Sequence, residues 1–142
     1  MAVAGNDEVM NTPSLFHSLS YQDATAGMAF LEAVGFRKVV VYTNGSDPKI
    51  VDHAEYAWGD NGGVMFGSIR PDSPFAQQGG DAKCYCVVDT DQDVDRVYRS
   101  ALDAGGTSIQ EPMNPEYGGR TASVADPEGN LFSFGSYRGG QA

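Results

Sequence analysis

Between residues 15 and 138 one order of structural signals is written twice: a strand, a helix, then three strands. In the first pass, a strand over residues 15–21 leads to Asp23, whose short carboxylate suits a helix N-cap. Met28, Leu31 and Val34 recur at helical spacing with Phe30 beside them, and Gly35 supplies the stop. A β-rich run over 36–43 centres on Val39, Val40 and Val41. Turn chemistry over 44–48 precedes an alternating strand over 52–59, a tight turn over 60–63 and a last strand over 64–69. A connector rich in Pro, Gly and Gln covers 70–80. The second pass opens with a strand over 83–88. A helix then runs from Asp91 or Asp93 to Ala104, with Val94, Val97, Ala101 and Leu102 as its apolar stripe. Gly105 and Gly106 stop it. A short strand over 107–110, a Pro-containing loop over 111–119 and two strands meeting at a turn over 126–130 complete the unit. In that turn Pro127 presets φ and Gly129 supplies φ > 0.

The closing hairpins of the two units echo one another. Gly59-Asp60-Asn61-Gly62 parallels Ala125-Asp126-Pro127-Glu128-Gly129, and the chain runs on to Gly67-Ser68-Ile69-Arg70 and Gly135-Ser136-Tyr137-Arg138. One βαβββ unit alone covers one sheet face with its helix and leaves the other bare. Two together enclose a cleft between their sheets, where ligands sit. The expected fold class is therefore α+β, two βαβββ modules forming a curved mixed sheet with an inter-sheet cleft. The expected division is a mobile arm over 1–13 and a single domain over 14–142. That domain comprises module one (14–70), a linker (71–81) and module two (82–139).

The formal net charge is −10, which argues against nucleic acid as a partner, since binding it requires Lys and Arg facing phosphates. It argues equally against anionic membrane surfaces and mildly favours cationic or neutral ligands. No apolar run reaches the roughly 18 residues of a membrane span. The start of the chain lacks a basic segment followed by an apolar block, so a cytoplasmic location is expected. Cys84 and Cys86 share one strand face, where neighbours are poorly placed for an unstrained disulfide. They read as two reduced thiols on a packed face; a metal or redox site needs more ligands than this run offers.

The segment over 117–139, with Tyr117-Gly118-Gly119-Arg120, the Asp126-Pro127-Glu128-Gly129-Asn130 turn and the strand that follows, resembles the second-half hairpin of the vicinal-oxygen-chelate superfamily. That superfamily includes glyoxalases, bleomycin-resistance proteins and extradiol dioxygenases. The resemblance extends from about Leu15 to Gly139 and is nearest to the glyoxalase/bleomycin-resistance branch. It implies the paired βαβββ fold and, in metal-using members, ligands at four strand positions. Carried onto this chain those positions fall at Phe16, Met65, Lys83 and Ser133, none a good ligand for a divalent ion. The expectation is no metal and no cofactor. The resemblance also implies a homodimer whose cleft walls come from both chains.

Strand alternation predicts the cleft lining. Phe16, Ser18 and Ser20 face in from the first strand, Lys83, Tyr85 and Val87 from the fifth. Leu131, Ser133 and Gly135 do so from the last, and Thr121 and Ser123 from the strand before it. His53, Glu55 and Ala57 are the counterparts in module one, and His17 turns to the helix side. His53 and Glu55, two apart on one face, form the sharpest polar pair and could act as base and acid, or orient a ligand. Phe16, Met65 and Tyr85 supply an apolar floor; Lys83 either pairs with Glu55 or sits at the rim. Tyr117 and Arg120, on a Gly-rich loop, stand near the mouth. The preferred reading is metal-independent binding of a small organic ligand by Phe16, His53, Glu55, Met65, Lys83, Tyr85, Tyr117, Arg120, Ser123 and Ser133, in the manner of antibiotic-sequestering proteins. The alternative is a glyoxalase-type lyase or isomerase using His53 and Glu55 for proton transfer, or an unrecognised metal site.

Overall fold

The computed structural model describes residues 15–72 and 79–139. The arm expected over 1–13 and most of the expected linker lie outside the described residues. In chain order the elements are β1 (His17–Tyr21), α1 (Ala24–Val34), β2 (Arg37–Thr43), β3 (Val51–Trp58), β4 (Gly62–Ser68), β5 (Lys83–Val87), α2 (Asp91–Asp103), β6 (Thr107–Met113), β7 (Thr121–Ala125) and β8 (Leu131–Gly135). The two units have one topology: sheet one runs β1-β4-β3-β2 and sheet two β5-β8-β7-β6. In each, the first and last strands pair in parallel and the rest antiparallel. The α+β class and the doubled βαβββ unit are as the sequence predicts. The strands form two four-stranded mixed sheets, one per module.

The helix ends follow from local chemistry. Asp23 caps α1, its carboxylate accepting the Ala26 N–H at 3.1 Å, and Gly35 at φ 122° ends the helix as no β-carbon-bearing residue readily would. Thr90 caps α2, and Asp93 closes a reciprocal capping box with it. β6 runs to Met113 through residues that read as loop. Pro112 is tolerated because β6 is an edge strand with register shifts along it.

The modules join through their helix-covered faces. Phe30 of α1 and Phe36 pack on Phe132 of β8, with ring centroids 5.8 and 6.0 Å apart, and Trp58 packs on Phe134 at 5.7 Å. The Trp58 Nε1–H donates to the Val87 carbonyl at 2.8 Å. Phe132 and Phe134 have no exposed surface, so one core serves both sheets.

A polar clasp crosses the same seam. The Asp126 carboxylate is 3% exposed, so its charge must be satisfied internally. Oδ1 accepts the backbone N–H groups of Glu128 and Asn130, each at 2.9 Å. Oδ2 accepts Asn130 Nδ2–H at 3.0 Å and the Tyr21 hydroxyl at 2.7 Å. Asn130 Oδ1 in turn accepts Gly80 and Ala82 N–H. Glu128 reaches from the same turn to the Gln22 and Asp23 N–H groups, both at 2.7 Å, where α1 begins. The Tyr21 ring lies against Gly27, where an added β-carbon would stand 2.7 Å from it.

Tyr21→Phe leaves Asp126 with one donor fewer in a buried setting. Urea unfolding at neutral pH is expected to show a loss of about 1–3 kcal/mol, and Asp126→Ala at least as much. Unchanged midpoints for both would show that the clasp does not hold the modules. Burial, with Asp126 next, pushes the Tyr21 hydroxyl well above the ordinary tyrosine range. The unfolded chain then loses its proton first, so stability is full below pH ~10 and falls above it. Tyr21→Phe is expected to flatten that alkaline decline in a series of unfolding curves. Part of the slope remains, because burial and Glu32 raise Tyr56 in the same direction.

Candidate functional site

Burial alternates along β1, β3, β4, β5 and β7 as the pattern predicts. Leu19, Tyr56, Val64, Phe66, Cys86 and Val124 turn to the core, and the intervening residues form an open face on each sheet.

On sheet one the open face carries His53, Glu55 and Met65, with Phe16 just before β1. His53 Nε2 lies 2.9 Å from Glu55 Oε2. A carboxylate can only accept, so Nε2 carries the hydrogen in this contact. Tyr42, the cross-strand partner of His53, stacks beside the imidazole with centroids 6.3 Å apart. The Phe16 ring lies against Gly63, where an added β-carbon would meet it at 3.3 Å.

On sheet two the Ser123 and Ser133 hydroxyls, opposite one another in the β7–β8 ladder, bond at 2.7 Å. Tyr85 registers with Ser133 and lays its ring over Gly135, where an added β-carbon would overlap the phenol. Its hydroxyl donates to the Tyr137 carbonyl at 2.7 Å, and burial is the main cause that raises its pKa. Tyr117 meets Tyr137 edge to face, with centroids 4.9 Å apart. These three rings, with Val87, Arg138 and Gly139, wall a pocket of about 520 Å³.

The structure thus divides the predicted site residues between two sheets. His53, Glu55, Met65 and Phe16 belong to sheet one; Lys83, Tyr85, Ser123 and Ser133 belong to sheet two, with Tyr117 beside it. Lys83 is exposed and makes no ion pair with Glu55 among the described residues. Arg120 turns away from the open face: Nε donates to Asp95 Oδ1 of α2 and Nη1 to Asn114 Oδ1, each at 3.0 Å. Tyr137 is one of three pocket residues, with Arg138 and Gly139, that sequence reasoning missed. It lies beyond the end of β8, where alternation no longer applies; Gly135, which makes room for Tyr85, was the available signal.

The four positions that bind metal in metal-using relatives do not fit a metal here. Phe16 and Met65 bring no hard donor, Lys83 is a cation, and the Ser133 hydroxyl is engaged by Ser123. No group of three His, Cys, Asp or Glu among the described residues is placed to hold an ion. His17 faces the core side as predicted. Its Nε2 is buried without a hydrogen-bond partner, and burial lowers its pKa.

A second cavity, of about 320 Å³, opens at the seam between the modules. Phe36, Trp58, Lys83, Cys84 and Cys86 are among its walls. No helix among the described residues is long and apolar enough to cross a membrane.

Solved structures with this fold are numerous. TioX from Micromonospora sp. ML1 superposes with a TM-score of 0.68 at 24% identity, covering 87% of this chain and 98% of its own. Hypothetical protein SA1046 from S. aureus gives 0.66 at 24%, covering 87% and 93%. A glyoxalase/bleomycin resistance protein/dioxygenase family enzyme from Burkholderia phytofirmans PsJN gives 0.64 at 24%, covering 84% and 94%. At such identities the likeness is one of fold. No curated protein matches the chain in sequence. The family pattern, by contrast, spans residues 16–134, both sheets and both helices, and on that match the chain belongs to the Glyoxalase/Bleomycin resistance protein/Dioxygenase superfamily.

Proposed function

We propose that this protein binds a small organic molecule, aromatic or cationic in part, without using a metal, and sequesters it rather than transforms it. The observation that carries the reading is the pocket walled by Tyr85, Tyr117 and Tyr137 on the open face of sheet two. Phenol rings give large contact area with little rotamer freedom to lose, and they attract both aromatic systems and organic cations. A net charge of −10 steers cations toward the protein. The unsuitable side chains at the superfamily metal positions support binding without chelation. Each module leaves one sheet face uncovered, which supports a homodimer in which a second copy completes the cleft. Two unoxidised thiols on β5 support a reducing, cytoplasmic setting.

A second reading, a lyase or isomerase, rests on the 2.9 Å contact between His53 and Glu55. A carboxylate holding one imidazole nitrogen leaves the other available as a general base.

Thermal-shift screening against cationic and aromatic natural products tests binding. A true ligand at 100 times its Kd is expected to add about 2.7 kcal/mol of stability. Tyr85→Ala is expected to abolish the shift, and Gly135→Ala, which evicts the Tyr85 ring, to do the same while the protein stays folded. Absence of stabilisation by every compound class sinks the binding reading. Turnover of a substrate by metal-free protein, lost in His53→Ala and retained in Tyr85→Ala, establishes the second reading instead. Sedimentation at micromolar concentration is expected to show a dimer, and a monomer there removes the shared cleft.

A further inference from the structure

Cys84 and Cys86 point from β5 to the core side, and their sulfurs stand 3.9 Å apart. Cys86 is 5% exposed and Cys84 is half-buried, and both are free thiols. The two contact each other; among the described residues neither has a hydrogen bond to oxygen or nitrogen. Both line the seam cavity of about 320 Å³, and Lys83, exposed at its rim, lines it with them. A packed strand face calls for apolar side chains of this size, and Val or Ala would fill it. Two adjacent thiols opening on a cavity are a different chemical object.

The span fits a shared soft ion. Two thiolates at about 2.3 Å from one centre lie ~4.0 Å apart in a trigonal array and ~4.6 Å apart in a linear one, so the 3.9 Å pair suits a three-coordinate centre and must open for a linear one. The rest of the site selects the ion. Zn²⁺ takes four ligands in its structural sites; of the cavity's other walls only His17 is a His, Cys, Asp or Glu, and no group of three such residues among the described ones is placed to hold an ion. Monovalent copper is soft, favours thiolates and is content with two or three ligands.

We propose that Cys84 and Cys86 form a dithiol site for monovalent copper in the seam between the modules, separate from the open-face pocket. Binding is a ligand exchange with no redox change: Cu⁺ displaces the two thiol protons, forming two Cu–S bonds and releasing two H⁺. The resulting bis-thiolate unit has one net negative charge. Copper uptake strengthens as pH rises, through proton competition.

The test uses the full-length reduced protein under anaerobic conditions, with Cu(I) supplied from the chromophoric chelator bathocuproine disulfonate. One equivalent is expected to leave the chelator, with two protons released and a thiolate-to-copper charge-transfer band appearing. Cys84→Ser is expected to weaken binding by more than the ~100-fold that losing an outer-shell partner can cost. Cys86→Ser should do the same, and should it fail to fold, Cys84→Ser decides, because that side chain is half-buried. The proposal is overturned if the wild type takes no copper from the chelator. It is also overturned if Cys84→Ser retains affinity to within tenfold, or if Zn²⁺ is held as tightly through the same two residues.

Discussion

One buried carboxylate organises the relation between the two halves of this molecule. Asp126 has two oxygens and four donors around them. Three belong to its own turn and the fourth, the Tyr21 hydroxyl, belongs to the other module. A buried charge is tolerable only when its acceptors are filled. The turn must therefore adopt the shape that aims Glu128 and Asn130 N–H at Oδ1, and module one must bring Tyr21 within reach. That demand passes upstream: the Tyr21 ring can lie flat on α1 only because residue 27 has no side chain. Glu128 then has the N-terminus of α1 within range, and Asn130 gathers the returning connector at Gly80 and Ala82. A five-residue turn thus fixes a strand, a helix start and a linker at once.

Joining the modules by their helix-covered faces has a functional consequence. The apolar surface under both helices merges into one core, and the two remaining sheet faces stay uncovered. Those faces have diverged. Sheet one presents an imidazole–carboxylate pair with a stacked phenol; sheet two presents paired serines beside a tyrosine-walled pocket. The imidazole–carboxylate pair and the tyrosine-walled pocket therefore sit on different sheets of one chain. A second copy laid across the open faces is the arrangement that would bring them together.

The fold was legible because its signals are local and repeated. Asp23, Gly35, Gly105 and the Pro127–Gly129 turn each mark a boundary by backbone chemistry alone. Alternation assigned the faces of β3, β5 and β8 correctly, since a strand has a period of two and a helix covers only one side. Legibility failed where a side chain's partner is remote in sequence. Arg120 looks like a ligand-facing residue on a glycine-rich loop, yet Asp95, twenty-five residues earlier, holds it on α2. Tyr137 lies beyond the last strand and reaches the pocket through a loop that no periodicity describes. Asp126 read as turn chemistry, and nothing in its neighbourhood announces that Tyr21 completes it.

The repeat also shows what differs between the two ends of the seam. Tyr21 stands two residues before the cap of α1, and Val88 holds that place before α2. Asp126 is buried, and its counterpart Asp60 is exposed. So one end of the seam has a charged clasp and the pseudo-equivalent end cannot have one: valine offers no donor, and Asp60 stays in water. Trp58 serves there instead, packed on Phe36 and Phe134 with its Nε1–H on the Val87 carbonyl. An indole closes a seam by buried area rather than by a network of fixed bonds. The cavity beside Trp58 and the two thiols that line it lie at that end. The clasped end is held by directed hydrogen bonds that leave little to vary. The tryptophan end, held by packing, is where the molecule has room for a second chemistry.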